Sequence, residues 1–447
     1  MAANNKKSIK ERLLSGSVWA LLGRVMGAFF GLAVNMLLAR LLTPEDFGAY
    51  FLTFSVVIFA ALVAQMGTKQ TIVRLMAESL SQEKFDQVIS AVKTVIVIVL
   101  GGVLVVAGTY ALFLGEFLGS RVFESELMGA IALLTALWIV AWTLQTVVTE
   151  MFRGFHDIRL ASLFGGLCTS AISSVLFLGL WLLQGQTDLK TAVLLSVVAG
   201  LSSVFIAVIL LGKKLSLTSV ATSPGNYSQV VSIAWPLYLT GLLLFAISEG
   251  HLWILGYFRP ESEVALYGAA TRLVNLIAMP LLIVNNVLPP MITELYTKGD
   301  NVQVEKVLQN TAAIVGVVSI AILGMLMVFG EWILLAVYGE FYVSALDLMM
   351  VVAVGKTINV LTGSPGVLMA MAGQQKALLW TSLLAGIAGV LTSIYLVGAF
   401  HGIGVAIGMS AGLALHNILM WFYCHKKLNI WTHMKFGWFP RTSGQGR

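Results

Sequence analysis

Twelve apolar runs of membrane-spanning length, parted by short polar turns, organise this chain of 447 residues. A helix needs about 20 apolar residues to cross a bilayer. Runs of that length fall at 16–41, 47–67, 90–114, 127–149, 160–183, 191–211, 229–256, 264–288, 307–330, 345–371, 377–399 and 402–423. Their edges are sharp: Lys93 and Glu116 bracket 22 uncharged residues, and Glu126 and Glu150 bracket 23. From Ala377 to His425 there is no Asp, Glu, Lys or Arg, and the stretch is too long for one span. His401-Gly402-Ile403-Gly404 is the expected turn within it. The pattern predicts an all-α membrane protein with twelve transmembrane helices in two six-helix lobes related by a parallel pseudo-two-fold repeat. The expected divisions are an N-terminal lobe at 1–211, a cytoplasmic linker at 212–228 around Ser223-Pro224-Gly225-Asn226, a C-terminal lobe at 229–423 and a cytoplasmic tail at 424–447. No loop is long enough for a soluble domain.

Charge then sets orientation. Only 11% of residues are charged, against about 25% in soluble domains. With the N-terminus placed in the cytoplasm, twenty of the 27 Lys and Arg fall on the inner side and three (Arg121, Lys190, Arg259) on the outer. Four more lie within spans: Arg24, Arg40, Arg272 and Lys356. This is the positive-inside distribution, so both termini are expected in the cytoplasm. It also explains the net charge of +6 without a nucleic-acid partner. Lys6, Lys7, Lys10 and Arg12 precede a run too long for a signal-peptide core, so the first helix is expected to remain as an anchor. The Lys69–Lys93 connection mixes apolar and charged residues and suits a short helix on the inner surface.

One stretch identifies the chain more closely. Leu37 to Tyr50 reads L-L-A-R-L-L-T-P-E-D-F-G-A-Y, a hairpin whose Thr43-Pro44-Glu45-Asp46 turn must reach water. A fainter copy lies 216 residues on, where Gly256 to Tyr267 reads G-Y-F-R-P-E-S-E-V-A-L-Y. Trp19 and Trp235, and Glu78 and Glu294, match at the same offset. The A-R-L-L-T-P-E-D-F-G-A-Y signature resembles the polysaccharide-export (Wzx-type, lipid-linked oligosaccharide flippase) branch of the multidrug/oligosaccharidyl-lipid/polysaccharide exporter superfamily. That resemblance implies a cargo of polyprenyl-pyrophosphate-linked oligosaccharide, such as an O-antigen or exopolysaccharide repeat unit. It further implies working partners among glycosyltransferases and a polysaccharide polymerase, with membrane lipid around the chain.

Ionisable groups inside spans are expensive, about 2.5 to 3.5 kcal/mol each at a helix centre, and usually face a bundle interior or a wet cavity. Arg24, Glu249, Arg272 and Lys356 are such groups. Arg272, Asn275, Met279 and Asn286 share a helix face, as do Lys356, Asn359 and Gly363, while Arg24 and Asn35 lie three turns apart on one side. Spans one, seven and eight are corresponding or adjacent elements of the two lobes, so these faces are expected to meet at a central cavity richer in base than acid. Such a cavity suits an anionic cargo, since Arg and Lys pair strongly with phosphate oxygens. Arg24, Arg272 and Lys356 are the expected head-group contacts, and Asn35, Asn275 and Asn359 the sugar or water contacts. Glu249 is the candidate for coupling a proton or sodium ion. Mutual neutralisation of Glu249 and Arg272, locking two helices, is an equally good reading of that pair. Arg40, one turn from the outer surface, is expected to reach Glu45 or Asp46. Arg74, Arg153, His156 and Arg159 lie at the inner mouth, where attraction of the cargo's phosphates is one reading and the positive-inside orientation already explains them.

Rows of small residues, Gly23-Gly27-Gly31 and Gly404-Gly408-Gly412, are read as helix packing. Asn35 and His416 continue them and suit hydrogen bonds across a helix pair. Pro236, Pro280 and Pro365 predict bends in spans seven, eight and ten. Cys168 and Cys424 provide neither a disulfide framework nor metal spacing, and no cofactor is expected. The sequence has no nucleotide loop, zinc set or nucleophile elbow, so the chain is read as a transporter and not an enzyme. Two rivals stay open: a multidrug-type cation antiporter of the same superfamily, which calls for an acidic, aromatic cavity, and a membrane enzyme acting on polyprenyl-linked sugars, which calls for a large outer loop.

Overall fold

In the computed structural model, residues 9–82, 84–216, 227–285 and 287–434 are described; the turn-rich part of the expected linker, Asn286 and the chain beyond Met434 lie outside them. Eleven helices among these residues are long and apolar enough to cross a membrane. The last, Gln375–Leu428, is 54 residues long and breaks at His401, where φ is 53° and ψ −138°. The break falls at the turn expected there, so this stretch supplies two passes and the chain crosses twelve times. The described residues contain no strand: with little water to serve stray N–H and C=O groups, each backbone satisfies itself as helix.

The order of elements repeats. Helices α1 (Ile9–Leu41), α2 (Pro44–Gln65), α3 (Thr68–Ser81) and α4 (Phe85–Thr109) open the chain. Short pieces α5 (Gly115–Phe117) and α6 (Glu126–Ala130) lead to α7 (Ala132–Gly154), then α8 (Ile158–Ser162), α9 (Cys168–Gln184) and α10 (Leu189–Ser216). The second series is α11 (Tyr227–Phe258), α12 (Glu261–Val284), α13 (Leu288–Thr297), α14 (Asn301–Val337), α15 (Leu346–Leu361), α16 (Pro365–Met371) and α17 (Gln375–Tyr423). Phe85, which starts α4, and Asn301, which starts α14, are 216 residues apart, the offset of the two sequence hairpins. Both are long: the span from Phe85 to Val122 has 38 residues and α14 has 37, about 55 Å of helix at 1.5 Å per residue. A bilayer core of about 30 Å cannot hold that length, so both helices project beyond it. The amphipathic pieces α3 and α13 also correspond, and α3 is a short amphipathic helix overlapping the Lys69–Lys93 stretch where one was expected.

By packing, the chain forms two compact units, Met1–Ala269 with Leu335–Tyr342, and Ala270–Leu334 with Val343–Arg447. In the first, the Thr43 turn is an N-cap: the Thr43 hydroxyl accepts from the Asp46 N–H at 3.2 Å and donates to Asp46 Oδ2 at 3.0 Å, with Pro44 at the first helical position. Helix α2 is largely buried. It is held by Tyr50 to Ser196 at 2.9 Å and by Trp253 Nε1 donating to Ser55 at 2.9 Å. Phe47 packs on Tyr338 and Tyr342. Arg40 departs from expectation. Its Nη2 donates to the Ala336 carbonyl at 2.6 Å, next to the last residue of α14, where helix carbonyls lack intrahelical partners and a cation is favoured. Asp46 is already engaged by Thr43.

Spans five and ten are interrupted. Between α8 and α9 the backbone leaves helical angles at Gly165 and Gly166, the latter at φ 131°. This bend falls in the half without span prolines, and glycine makes it. Span ten ends as α15 at Leu361; Gly363 turns with φ 77° and Pro365 opens α16. Helices α11 and α12 continue through Pro236 and Pro280.

In the second unit, the two halves of α17 close on one another as their glycines predict. Gly408 abuts Ser393, Gly412 abuts Gly389, and Ser382 bonds His416 Nε2 at 2.9 Å. The row on α1 behaves differently. Gly23 lies against Ser162, but a Cβ at Gly27 or Gly31 meets nothing within 4 Å. The Asn35 amide donates to the Gly31 carbonyl of its own helix at 2.6 Å, not across a helix pair. The chain after α17 folds back into this unit. The Trp431 N–H donates to Glu305, Thr432 donates to the Thr362 carbonyl at 2.9 Å, and the Met434 N–H donates to the Leu361 carbonyl at 3.1 Å. Those last two carbonyls lie at the broken end of α15, so the segment serves groups that the break strands.

Candidate substrate-binding site

Helix α7 builds the strongest polar feature of the first unit. Thr143, Thr146, Glu150 and Arg153 recur at i, i+3, i+7 and i+10 and share one face. The Glu150 carboxylate is buried. Arg153 Nη1 donates to both its oxygens, at 2.8 and 2.7 Å, and Lys69 Nζ from α3 stands 3.9 Å away. Arg24 on α1 is close enough that its charge and that of Arg153 repel. Two cations thus share one carboxylate, with a third cation within electrostatic reach of Arg153. Two further basic groups of this unit are matched one to one: Arg74 with Glu78 at 2.7 Å and Lys214 with Asp157 at 2.6 Å. Arg159 lies over the Trp19 ring, 5.5 Å from its centre.

The bend at Gly165–Gly166 faces the same helix. Gln145 Nε2 donates to the Phe164 carbonyl at 3.1 Å, replacing the helix bond that the bend removes. Gln65 donates to Thr146 at 2.7 Å. Gln145 Oε1 and the hydroxyls of Thr143 and Thr149 are buried without a hydrogen-bond partner in the protein. Such orphans are uncommon in a finished core. Beyond α3, a cavity of about 510 Å³ is lined by Glu78, Ser79, Gln82, Gln87, Thr94 and Gln229 among others, chiefly neutral amides and hydroxyls.

The expected site residues divide between the units. Arg24, Asn35 and Glu249 lie in the first; Arg272, Asn275, Lys356 and Asn359 lie in the second. Glu249 on α11 is half-buried and within electrostatic reach of Tyr267, whose ring packs 5.0 Å from His251. On α12, Arg272 is half-buried and Asn275 exposed; on α15, Lys356 and Asn359 are half-buried. Gly355, next to Lys356, packs against Ser410 and fixes how α15 meets α17. Sequence reasoning singled out Arg24 but left Glu150 as a span boundary and Arg153 as an orientation signal. The spacing of Thr143, Thr146, Glu150 and Arg153 was the available clue; the approach of Lys69 from another helix was not.

Comparison with known proteins agrees with this architecture. Residues 13–296, more than half of the chain, match the family model of polysaccharide biosynthesis proteins. The fold is that of transporters in the MOP superfamily. A multidrug resistance MATE family transporter in an inward-facing conformation superposes with a TM-score of 0.72 at 15% identity, covering 92% of this chain and 98% of its own. The MATE multidrug transporter DinF-BH gives 0.68 at 15% identity, covering 96% and 98%. A MOP superfamily transporter from Pyrococcus furiosus, described as having a binding pocket of reverse polarity, gives 0.62 at 15% identity, covering 94% and 96%. No curated protein shows detectable sequence similarity. The chain belongs to the polysaccharide biosynthesis protein family, and it is a multi-pass membrane protein with a transporter fold.

Proposed function

We propose that the chain is a flippase that carries a polyprenyl-pyrophosphate-linked oligosaccharide from the inner to the outer leaflet of the cell inner membrane by alternating access. The observation that carries this reading is the excess of base around Glu150: Arg153 and Lys69 share one buried carboxylate, with Arg24 within electrostatic reach of Arg153. Pyrophosphate is the biological anion that such a cluster suits, because guanidinium and ammonium groups bond strongly to phosphate oxygens. In this reading the end that carries Lys69 and Arg153 faces the cytoplasm, where the cargo is made. Arg24, Lys69 and Arg153 receive the head group, and Arg272 and Lys356 serve it in the second unit. Asn35, Asn275 and Asn359 contact sugar or water, and Glu249 couples an ion. The amide-lined cavity beyond α3 offers neutral hydrogen bonds to the glycan. Glycosyltransferases supply the cargo and a polymerase consumes it, so the chain itself performs no covalent chemistry.

The test is translocation of a lipid-linked oligosaccharide in liposomes. Arg24→Ala and Lys356→Ala are each expected to lower the rate about tenfold or more with unchanged protein abundance; wild-type rates in both would end this reading. The structural neighbours favour a second reading, multidrug export. Efflux of a cationic dye such as ethidium that needs Glu249 but neither Arg24 nor Lys356 would establish it.

A further inference from the structure

We infer that Glu150 is a built-in competitor for the cargo's head group, holding Arg153 and Lys69 when the site is empty and speeding release when it is full. The inference rests on the head-group reading of this cluster and adds a role for its one acid. Glu150 is buried and fixed by its neighbours, with 7% of its side chain exposed, whereas the side chains of Arg153 and Lys69 are 51% and 47% exposed. The carboxylate is therefore the stationary partner and the two cations the mobile ones. A pyrophosphate has more negative charge and more acceptor oxygens than a carboxylate, so it draws Arg153 and Lys69 outward. Glu150 is then left as a buried anion without its partners, which is strongly unfavourable. That penalty is felt only while cargo is bound, so it raises the energy of the loaded site and hastens departure. A carrier profits from this, since binding its cargo too tightly lowers turnover.

The experiment uses the full-length chain in lipid nanodiscs with sugar-free polyprenyl pyrophosphate as the probe. Glu150→Gln keeps the shape and removes the charge. It is expected to bind the probe about tenfold more tightly, the scale seen when close charge pairs are altered. In liposomes it should lower both the maximal rate and the half-saturation concentration, a split that a merely structural role does not produce. Glu150→Asp, with a shorter arm and looser grip, is expected to bind about threefold more tightly, and it decides the matter if Glu150→Gln does not fold. Arg153→Gln is expected to weaken binding about tenfold. Wild-type binding by Arg153→Gln would overturn the head-group reading itself. Weakened binding by Arg153→Gln, with unchanged or weaker binding by the folded Glu150 variants, would overturn the competitor role alone.

Discussion

Gly408 and Gly412 occupy places where a larger side chain must push backbone aside, while Gly27 faces open space. The same residue type at the same spacing therefore has opposite consequences. Gly412→Leu should overpack the α17 halves and cost about 1–3 kcal/mol, seen as a lower unfolding temperature in detergent. Gly27→Ala should raise stability by about 0.5–1 kcal/mol, because alanine is the better helix former and meets no neighbour. The sequence shows the rows but not which has a partner, since that depends on what the fold brings alongside. Asp188 presents a case that pH can test. It caps α10, accepting from the Thr191 N–H at 3.1 Å, and its bond with Thr191 holds its carboxyl below the ordinary range. A lowered value means that the cap's contribution is present at neutral pH and lost as the carboxylate protonates in acid. Asp188→Ala should cost about 1 kcal/mol at neutral pH, and the gap between variant and wild type should close as pH falls through the carboxylate range.

At the scale of elements, hydrophobic length was nearly sufficient to place the spans, because a bilayer enforces it. The breaks were harder to foresee. Proline pointed to the end of span ten, but Pro236 and Pro280 sit in continuous helices, and the bend at Gly165–Gly166 has no proline near it. Its signal is a Gly-Gly pair whose freed carbonyl finds Gln145 on another helix, a partnership that periodicity within one helix cannot reveal. Gln145→Leu removes that donor while keeping the bulk. It is expected to destabilise the protein by about 1–3 kcal/mol, the range for a buried acceptor left unserved. Thermal unfolding monitored by near-ultraviolet circular dichroism would measure this. Residues 429–434 make the same point: the sequence reads as tail, yet Ile430 and Thr432 are fully buried, because the broken end of α15 offers carbonyls that the returning chain can serve.

For the whole molecule, the repeat of 216 residues and the count of twelve crossings were legible because both are written in long-range pattern. The binding site was less so. Arg24 stands out as a charge inside a span, whereas Glu150 and Arg153 lie at a span's end, where charges are ordinary. Orientation carries most of the functional weight, since a flippase loading from the cytoplasm must have its basic cluster on that side. The proposed topology follows from the bias of Lys and Arg toward that end, and labelling can decide it. With Cys168 and Cys424 replaced by alanine, Gln186→Cys lies in the exposed connection between α9 and α10, and Asn301→Cys lies at the exposed start of α14. A membrane-impermeant maleimide added to intact cells should label Gln186→Cys and spare Asn301→Cys until the cells are permeabilised. The reverse pattern would put Lys69, Glu150 and Arg153 on the outer side, and the cluster would then meet the cargo at release, not at loading.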